Sequence, residues 1–347
     1  MGLYVYGAVL TPHGIAANNR GETEGNITTL QKILWHNQIH TTVSAEAIRW
    51  AIRYNWQKEG TPVNRVWDEL KEDYTWRDPK WLAWNPDNLN AEATYIDDDV
   101  LGFMLAEAAG TEGNDDLENK KKEKKKLDDK FKELSKEQQK SEEGKELKKK
   151  SKELNDYIKA MSKGTCDKRR GVLEIARAIS TTPFAGDITF NSKAGTKDRT
   201  SLYGTEVHAT RYQYGFAFTP ERLQVKERAL KVIDAIANLG EVAGNHSRFL
   251  FDFSPESIIL RLTSDPAPRL LYCFEENENE TISVPELVRR VNAGDIDAKE
   301  LYIGGPIAED NDIKGLKDAF KATGIKKTVE EFKKIINSQL LDGEGKE

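Results

Sequence analysis

The first apolar run of the chain, LYVYGAVL at residues 3–10, is short and followed by Pro12 and Gly14, which predicts a buried strand. A polar stretch, 11–43, follows and holds one short apolar segment at Leu30, Ile33 and Leu34. At Ser44 the pattern changes. Ala47, Ile48, Ala51 and Ile52 recur at helical spacing in AEAIRWAIRYNW, Ser44 is a favoured N-cap, and Glu46 suits the first turn. Residues 56–95 carry Trp56, Trp67, Trp76, Trp81 and Trp84 between breaks at Pro62, Pro79 and Pro86, which predicts short helices and loops anchored by indoles. YIDDDVLGFMLAEAAG then predicts an acid-capped helix ending near Gly110.

Residues 115–160 have a different character, with 16 lysines, 13 carboxylates and no proline. Apolar positions at 127, 131, 134, 147, 154, 158 and 161 predict two charged amphipathic helices turning near Ser141–Gly144. From 168 strand signals return in GVLEIARAISTTPF. FAGDITFNSKAGTKDRTSLYGTEVHAT predicts a long hairpin with a polar tip, and HATRYQYGFAF a strand stopped by Pro220. ERALKVIDAIANLG is a helix ending at Gly240, SIILRLTSD a strand, and the remainder adds a short strand and a helix over about 314–340. Without the insertions the order is strand, helix, strand, hairpin, strand, helix, strand. That is close to βαββαβ, an α+β plan of the ferredoxin-like or RRM type, with one sheet face expected to be free.

At 347 residues the chain has room for about two domains, or one with large insertions. Cys166 and Cys273 form no CxxC pair, which argues against a disulfide framework or a zinc site. No stretch approaches the ~20 apolar residues of a membrane span, and MGLYVYGAVL lacks a basic leader, so a cytoplasmic protein without membrane contact is expected. The net charge of −6 is unevenly distributed: residues 54–110 and 275–347 are acidic, while 168–211 holds 8 Lys and Arg against 4 Asp and Glu. Local sign sets the field a ligand feels within a Debye length.

Candidate chemistry is mostly binding chemistry. Asp97, Asp98 and Asp99 precede an apolar helical run, where acids favour the N-terminal dipole; a metal reading would need further ligands converging on them. Apart from His36 and His40, which stand four residues apart, the histidines show no metal-ligand spacing, and GxSxG, Walker and GxGxxG loops are absent. No cofactor and no metal are expected. By contrast, Asn18, Asn19, Arg20, Gly21 and Asn26 offer donors and close backbone approach after the first strand. His40, Thr41, Thr42 and Ser44 lead into a helix N-terminus, with Arg49 further along that helix. Arg169, Arg170, Arg177, Lys193, Lys197, Arg199 and Arg211 supply charge, with Thr181, Thr182, Phe184 and His208 beside them and Asn245, His246 and Arg248 in a later polar loop. Turns, capping and solvation explain any one of these residues. Their concentration in two strips of an acidic chain points to a phosphate backbone as ligand.

Four segments carry a more specific signal: NNRGETEGNITTLQKILWHNQIHTTVSAEAIRWAIR, YIDDDVLGFM, GVLEIARAISTTPFAGDITFN and EVHATRYQYGFAF. In order, over roughly 10–110 and 168–262, they resemble the DevR-type, type I-B-like branch of the Cas seven family, the repeated backbone subunits of the CRISPR Cascade surveillance complex. Other branches have a Ser-Ser-Gln-x-Leu-Lys-Arg-like segment where this chain has Ser44 to Arg49. They have a Leu-Phe-Gly-Arg-Met-like helix where it has Leu101 to Met104, with Phe103 in place of the family's Arg.

The resemblance implies an RRM-like palm (1–55 and 168–270), helical fingers (56–110), a β-hairpin thumb (about 184–204) and a C-terminal extension (271–347). The charged helical hairpin of 111–167 has no matching counterpart. It also implies a non-catalytic subunit that binds crRNA, lines up with neighbouring copies of itself, and presents the guide for pairing with target DNA. Guide-end-binding, large and small Cascade subunits would be its partners. On this view Asn18–Gly21 and His40–Arg49 hold phosphate and ribose, and the Lys193–Arg199 tip reaches the neighbour. Type III relatives cut RNA with an Asp after the first strand, and 11–21 contains none. Two alternatives are a metal-dependent ribonuclease using Asp97–Asp99 with His40 or His208, and a stand-alone RNA-binding regulator.

Overall fold

The computed structural model describes residues 2–18, 20–85, 89–106, 115–134, 141–162, 166–192, 202–244 and 249–340. Two compact units divide the chain, Met1–Gly102 with Arg170–Glu347, and Phe103–Arg169. The fold is mixed α/β. Helices among the described residues are α1 (Ala45–Lys58), α2 (Ile96–Leu101), α3 (Asp115–Glu133), α4 (Glu142–Ser162), α5 (Arg228–Ala237), α6 (Pro285–Asn292), α7 (Asn311–Gly315) and α8 (Ile325–Leu340).

The larger unit is built on a nine-stranded sheet. Its order is Phe320–Ala322, Leu301–Gly304, Ser257–Thr263, Tyr4–Leu10, Tyr212–Phe218, Ala178–Ser180, Gln38–Val43, Lys32–Trp35, with Leu173–Ile175 also paired to Tyr212–Phe218. Only the Leu301–Gly304 and Phe320–Ala322 pair is parallel among these ladders. Tyr4–Leu10 is central and buried on both sides. Val5 and Val9 face a cluster with Ile48, Ile52 and Trp56 of α1, Val232 and Ile236 of α5, and Phe332 and Ile336 of α8. Tyr6, Ala8 and Leu10 face the other way. Gly7 lies opposite Phe216, and a Cβ there would come within 2.1 Å of that ring, so the close approach requires glycine.

The second sheet face departs from expectation. It is covered rather than free: Leu270, Cys273, Phe274, Val284, Leu287, Ile296, Ile307 and Ile313 pack over Tyr6, Ala8, Leu10 and Ile259. Gln213 on that face donates to the Phe274 carbonyl at 3.0 Å and accepts its amide at 3.2 Å. The stretch 275–347 is acidic overall, which hides how many apolar positions it contributes to this layer.

Two further departures are local. The helix expected to run to Gly110 stops at Leu101, because Gly102 takes φ 73° and the chain continues as the strand Gly102–Ala106; residues 107–110 lie outside the described set. The polar stretch after the first strand is mostly strand, not loop. Arg20–Glu24 and Ile27–Leu30 join the hairpin of Ile188–Ser192 and Leu202–Glu206 in a separate four-stranded sheet. In the smaller unit, α3 and α4 pack as the expected pair, and Gly102–Ala106 pairs with Cys166–Arg170.

Candidate nucleic-acid interface

At its outer end the sheet finishes in the hairpin Lys32–Trp35/Gln38–Val43, turned by His36 and Asn37 at φ 47° and 63°. Positive φ at both central residues is the two-residue turn whose twist matches paired strands. Ser44 then caps α1, its hydroxyl accepting the Ala47 amide at 3.2 Å. Phe184 begins the next arm, its amide donating to the Ile39 carbonyl at 2.7 Å, and its ring meets His208 edge-on at 5.5 Å with Lys32 Nζ above it at 4.7 Å. Lys32 also pairs with Glu206 at 2.5 Å, and Glu206 accepts the Leu30 amide at 2.7 Å. Asn26 fixes the two arms together, donating to the Leu202 carbonyl at 2.7 Å and accepting the Gly204 amide at 2.9 Å. Arg177 is exposed and donates to Gln31 Oε1 at 3.1 Å and Thr42 Oγ1 at 3.3 Å, with no carboxylate partner among the described residues.

Beneath this surface lies a buried polar chain. Tyr212 donates its hydroxyl to Thr41 Oγ1 (3.0 Å), and Thr41 donates to His208 Nδ1 (2.7 Å). The Pro183 carbonyl, 3.2 Å from His208 Nε2, can only accept, which puts the proton on Nε2. Burial, opposed by that carbonyl, lowers His208 to about 4. His40 Nδ1 donates to the Ser180 carbonyl at 2.7 Å, and Thr182 and Thr210 hydroxyls meet at 2.8 Å. Tyr212 is pushed up to about 12 by burial.

The expected site residues therefore divide. Gly21, Asn26, Arg177, Thr181, Thr182 and Phe184 lie on the two arms and the adjoining sheet edge, exposed or half-buried. His40, Thr41, Thr42 and His208 are enclosed and bonded to one another or to neighbouring strands; they shape the surface from below rather than face it. Asn18 is also enclosed, its amide donating to the Val242 carbonyl. Arg49 is half-buried and donates to the Leu101 carbonyl at the C-terminus of α2 (2.5 Å) and to Leu173 (3.3 Å); desolvation lowers its pKa. Arg211 is clamped by Glu256 at 2.9 Å and Glu276 at 2.6 Å. These two arginines, expected to meet phosphate, serve internal partners because each lies where a buried acceptor needs a cation. Arg170 pairs with Glu174 in solvent, and Arg169 belongs to the smaller unit, half-buried on Cys166–Arg170. Asn19, the Arg20 side chain, Lys193, Lys197, Arg199, Asn245, His246 and Arg248 lie outside the described residues. Lys32, Gln31 and Glu206 were missed; an alternating strand read through 31–35 would have placed Lys32 on an outer face.

The acidic triplet is a clamp as well as a first-turn charge. Asp97 accepts the Asn64 amide at 2.7 Å and the Arg65 amide at 3.1 Å and pairs with Arg53 at 3.2 Å. Asp98 accepts Trp81 Nε1 and Asn64 Nδ2, each at 2.9 Å, and burial plus the neighbouring Asp97 pushes it up to about 7. Asp99 accepts the Gln224 and Val225 amides and pairs with Arg228 at 2.7 Å. Together the three carboxylates hold Asn64–Arg65, Trp81 and the 224–228 segment against α2. Among the described residues no group of three or more His, Cys, Asp or Glu converges as a metal site.

This geometry defines a mixed α/β protein whose sheet carries a paired, polar two-arm surface at one end. No family model matches the chain. Over 318 residues, 89% of this chain and 88% of the relative, it is 44% identical to the "CRISPR-associated protein Cas7/Cst2/DevR" of Myxococcus xanthus (strain DK1622). The chain belongs to the Cas7/Cst2/DevR family of CRISPR-associated proteins. Among solved structures it aligns with a chain of a "CRISPR RNA-guided surveillance complex, pre-nicking" (TM-score 0.48, 10% identity, covering 95% of this chain and 100% of that one). It aligns similarly with one of a "CRISPR RNA-guided surveillance complex" (0.48, 12%, 95% and 99%). Among the described residues no helix is long and apolar enough to cross a membrane.

Proposed function

We propose that this protein is a non-catalytic, crRNA-binding backbone subunit of a type I-B-like CRISPR Cascade complex, working in the cytoplasm. In this reading several copies assemble along one guide and present it for pairing with target DNA. The observation that carries the reading is the 44% identity, spread over nearly the whole chain, to a Cas7/Cst2/DevR protein. The guide-end-binding, large and small subunits are its expected partners on the same ground. Support for a ferredoxin-like palm comes from the order Ser257–Thr263, Tyr4–Leu10, Tyr212–Phe218, Leu173–Ile175 with Ala178–Ser180, all antiparallel, with α1 and α5 after the first and third strands in sequence.

The chemistry of the outer surface suits a ligand whose sequence varies. A guide must be held without reading base edges, through phosphate, 2′-hydroxyl and shape. Arg177, Lys32, Thr182, Asn26 and the strand containing Gly21 offer a few cations among hydroxyls and amides instead of a base-reading array. Ile33, Leu34, Ile39, Phe190 and Leu202 are exposed on the same two arms, and apolar side chains beside a polar track fit contact between neighbouring copies. Arg177→Glu with Lys32→Glu tests the grip. Fluorescence anisotropy on a 60-nucleotide RNA should show affinity at least about tenfold weaker, and a salt slope flatter by about 0.7 for each phosphate that is no longer neutralised. Unchanged affinity and slope would reject the assigned surface.

A further inference from the structure

The three consecutive buried carboxylates of α2 share two cations. Asp97 pairs with Arg53 of α1 at 3.2 Å and Asp99 with Arg228 of α5 at 2.7 Å. Between them Asp98, 4% exposed, pairs with no cation among the described residues. Arg65, whose amide donates to Asp97, sets its guanidinium over the Tyr74 ring, 3.6 Å from the centroid. The loop facing α2 adds Asp78, an acid that, like Asp97, opposes ionisation of Asp98. Yet both oxygens of Asp98 meet N–H donors: Trp81 Nε1 on Oδ1 and Asn64 Nδ2 on Oδ2, each at 2.9 Å. Neither donor can accept the proton of a carboxylic acid. Hydrogen bonding therefore favours the charged form, while burial and the neighbouring acids favour the neutral one.

The two donors are not equally secured. Asn64 is held three more times: its Nδ2 donates to the Asp78 carbonyl at 2.9 Å, its Oδ1 accepts the Asp78 amide at 2.7 Å, and its own amide donates to Asp97 at 2.7 Å. Trp81 stands at φ 49° and ψ 41°, a left-handed backbone that is strained for any residue with a bulky side chain, and it opens the single 3-10 turn Leu82–Trp84. Its ring meets Trp76 edge-on at 5.4 Å, and Trp76 and Leu82 are exposed. We infer that Asp98 is a proton-operated clamp on the 78–84 segment, holding Trp81 in its left-handed conformation when ionised and releasing the indole when a proton from solvent occupies Oδ1. Burial and Asp97 push Asp98 up to about 7, so the changeover falls near neutral pH. The native state holds this proton more tightly than the unfolded chain, whose aspartate titrates at the usual 3.8. Between those values the proton favours the folded state, so the loosening is local and is not the start of acid unfolding. This inference does not rest on the guide-binding reading.

The test uses the full chain with nitrogen-15 in its tryptophan indoles, beside Trp81→Phe and Asp98→Asn. The Trp81 indole N–H resonance, identified by its absence from Trp81→Phe, should titrate with a midpoint near 7. Amide hydrogen exchange over 78–84, corrected for the intrinsic effect of pH, should be at least about fivefold faster at pH 6 than at pH 8, with α1 unchanged. Trp81→Phe should exchange fast over 78–84 at both pH values, and Asp98→Asn should abolish the titration. Should Asp98→Asn fail to fold, the parent and Trp81→Phe decide the matter between them. An indole resonance that stays in place from pH 6 to pH 8, equal exchange at both pH values in the parent, or the parent's pH dependence persisting in Trp81→Phe would overturn the proposal.

Discussion

The two ends of the nine-stranded sheet are finished differently. At the end formed by Ser257–Thr263, Leu301–Gly304 and Phe320–Ala322, both faces are sealed by α8 on one side and by the 265–319 segment on the other. Even the arginine there, Arg261, is 2% exposed and is held by Glu300 at 2.7 Å, Asp265 at 3.2 Å and the Ala267 carbonyl at 2.9 Å. At the other end the hairpin Lys32–Trp35/Gln38–Val43 leaves Leu34 68% and Ile39 52% exposed, beside Lys32 and Arg177. Burial energy is released at the first end and withheld at the second. On the reading proposed above, the open end is the one that a ligand or a neighbouring copy covers.

Breaking the sealed end should have the largest effect. Arg261→Ala removes a buried cation, leaving Glu300 without a cationic partner and Asp265 with Arg269 alone, so unfolding free energy should fall by about 3 kcal/mol, read by urea denaturation. Next comes the polar chain under the open end. His208 has a folded pKa of about 4 against 6.5, so the unfolded state binds more protons between those values, and its stabilising contribution is lost as pH falls from 6.5 towards 4. The loss should reach about 2 kcal/mol by pH 5. Asp98, raised to about 7, works in the opposite direction over part of that range, so the quantity to measure is the parent minus His208→Gln.

Two adjacent tyrosines sharpen the contrast. Tyr212 donates to Thr41, whereas the buried Tyr214 hydroxyl has no hydrogen-bond partner among the described residues. Tyr212→Phe should lower stability by about 1 kcal/mol; Tyr214→Phe should leave it unchanged or raise it. The smallest effect on stability belongs to the open end itself. Ile33→Ser, Leu34→Ser and Ile39→Ser should each move stability by less than about 0.5 kcal/mol. Combined in one chain, the three substitutions should abolish assembly on RNA in size-exclusion chromatography; full assembly would show that these side chains do not join neighbouring copies.

What was legible in the sequence follows the range of the forces involved. Ser44 as N-cap of α1, the strand at 3–10 and the hairpin after Phe184 are local patterns, and all are present. The strands at 20–30 were not legible, because polar Thr- and Glu-rich segments become strands only once Leu202–Glu206 supplies a partner. Nor were the internal roles of Arg49, Arg211 and Asp97–Asp99, whose partners come from segments distant in sequence. A cation in a polar stretch looks the same whether its partner is a phosphate or a buried carbonyl. Of the open end, Arg177, Asn26 and Phe184 stand out in the sequence, while Lys32 was hidden beside the short apolar segment of Leu30, Ile33 and Leu34.

The most direct test of the central claim is the native mass of the purified protein assembled on a guide RNA of about 60–70 nucleotides, with and without Arg177→Glu and Lys32→Glu. Several copies should sit on each RNA at regular increments of mass, reduced or absent in the double variant. A single copy per RNA, or an assembly indifferent to the substitutions, would contradict the backbone reading.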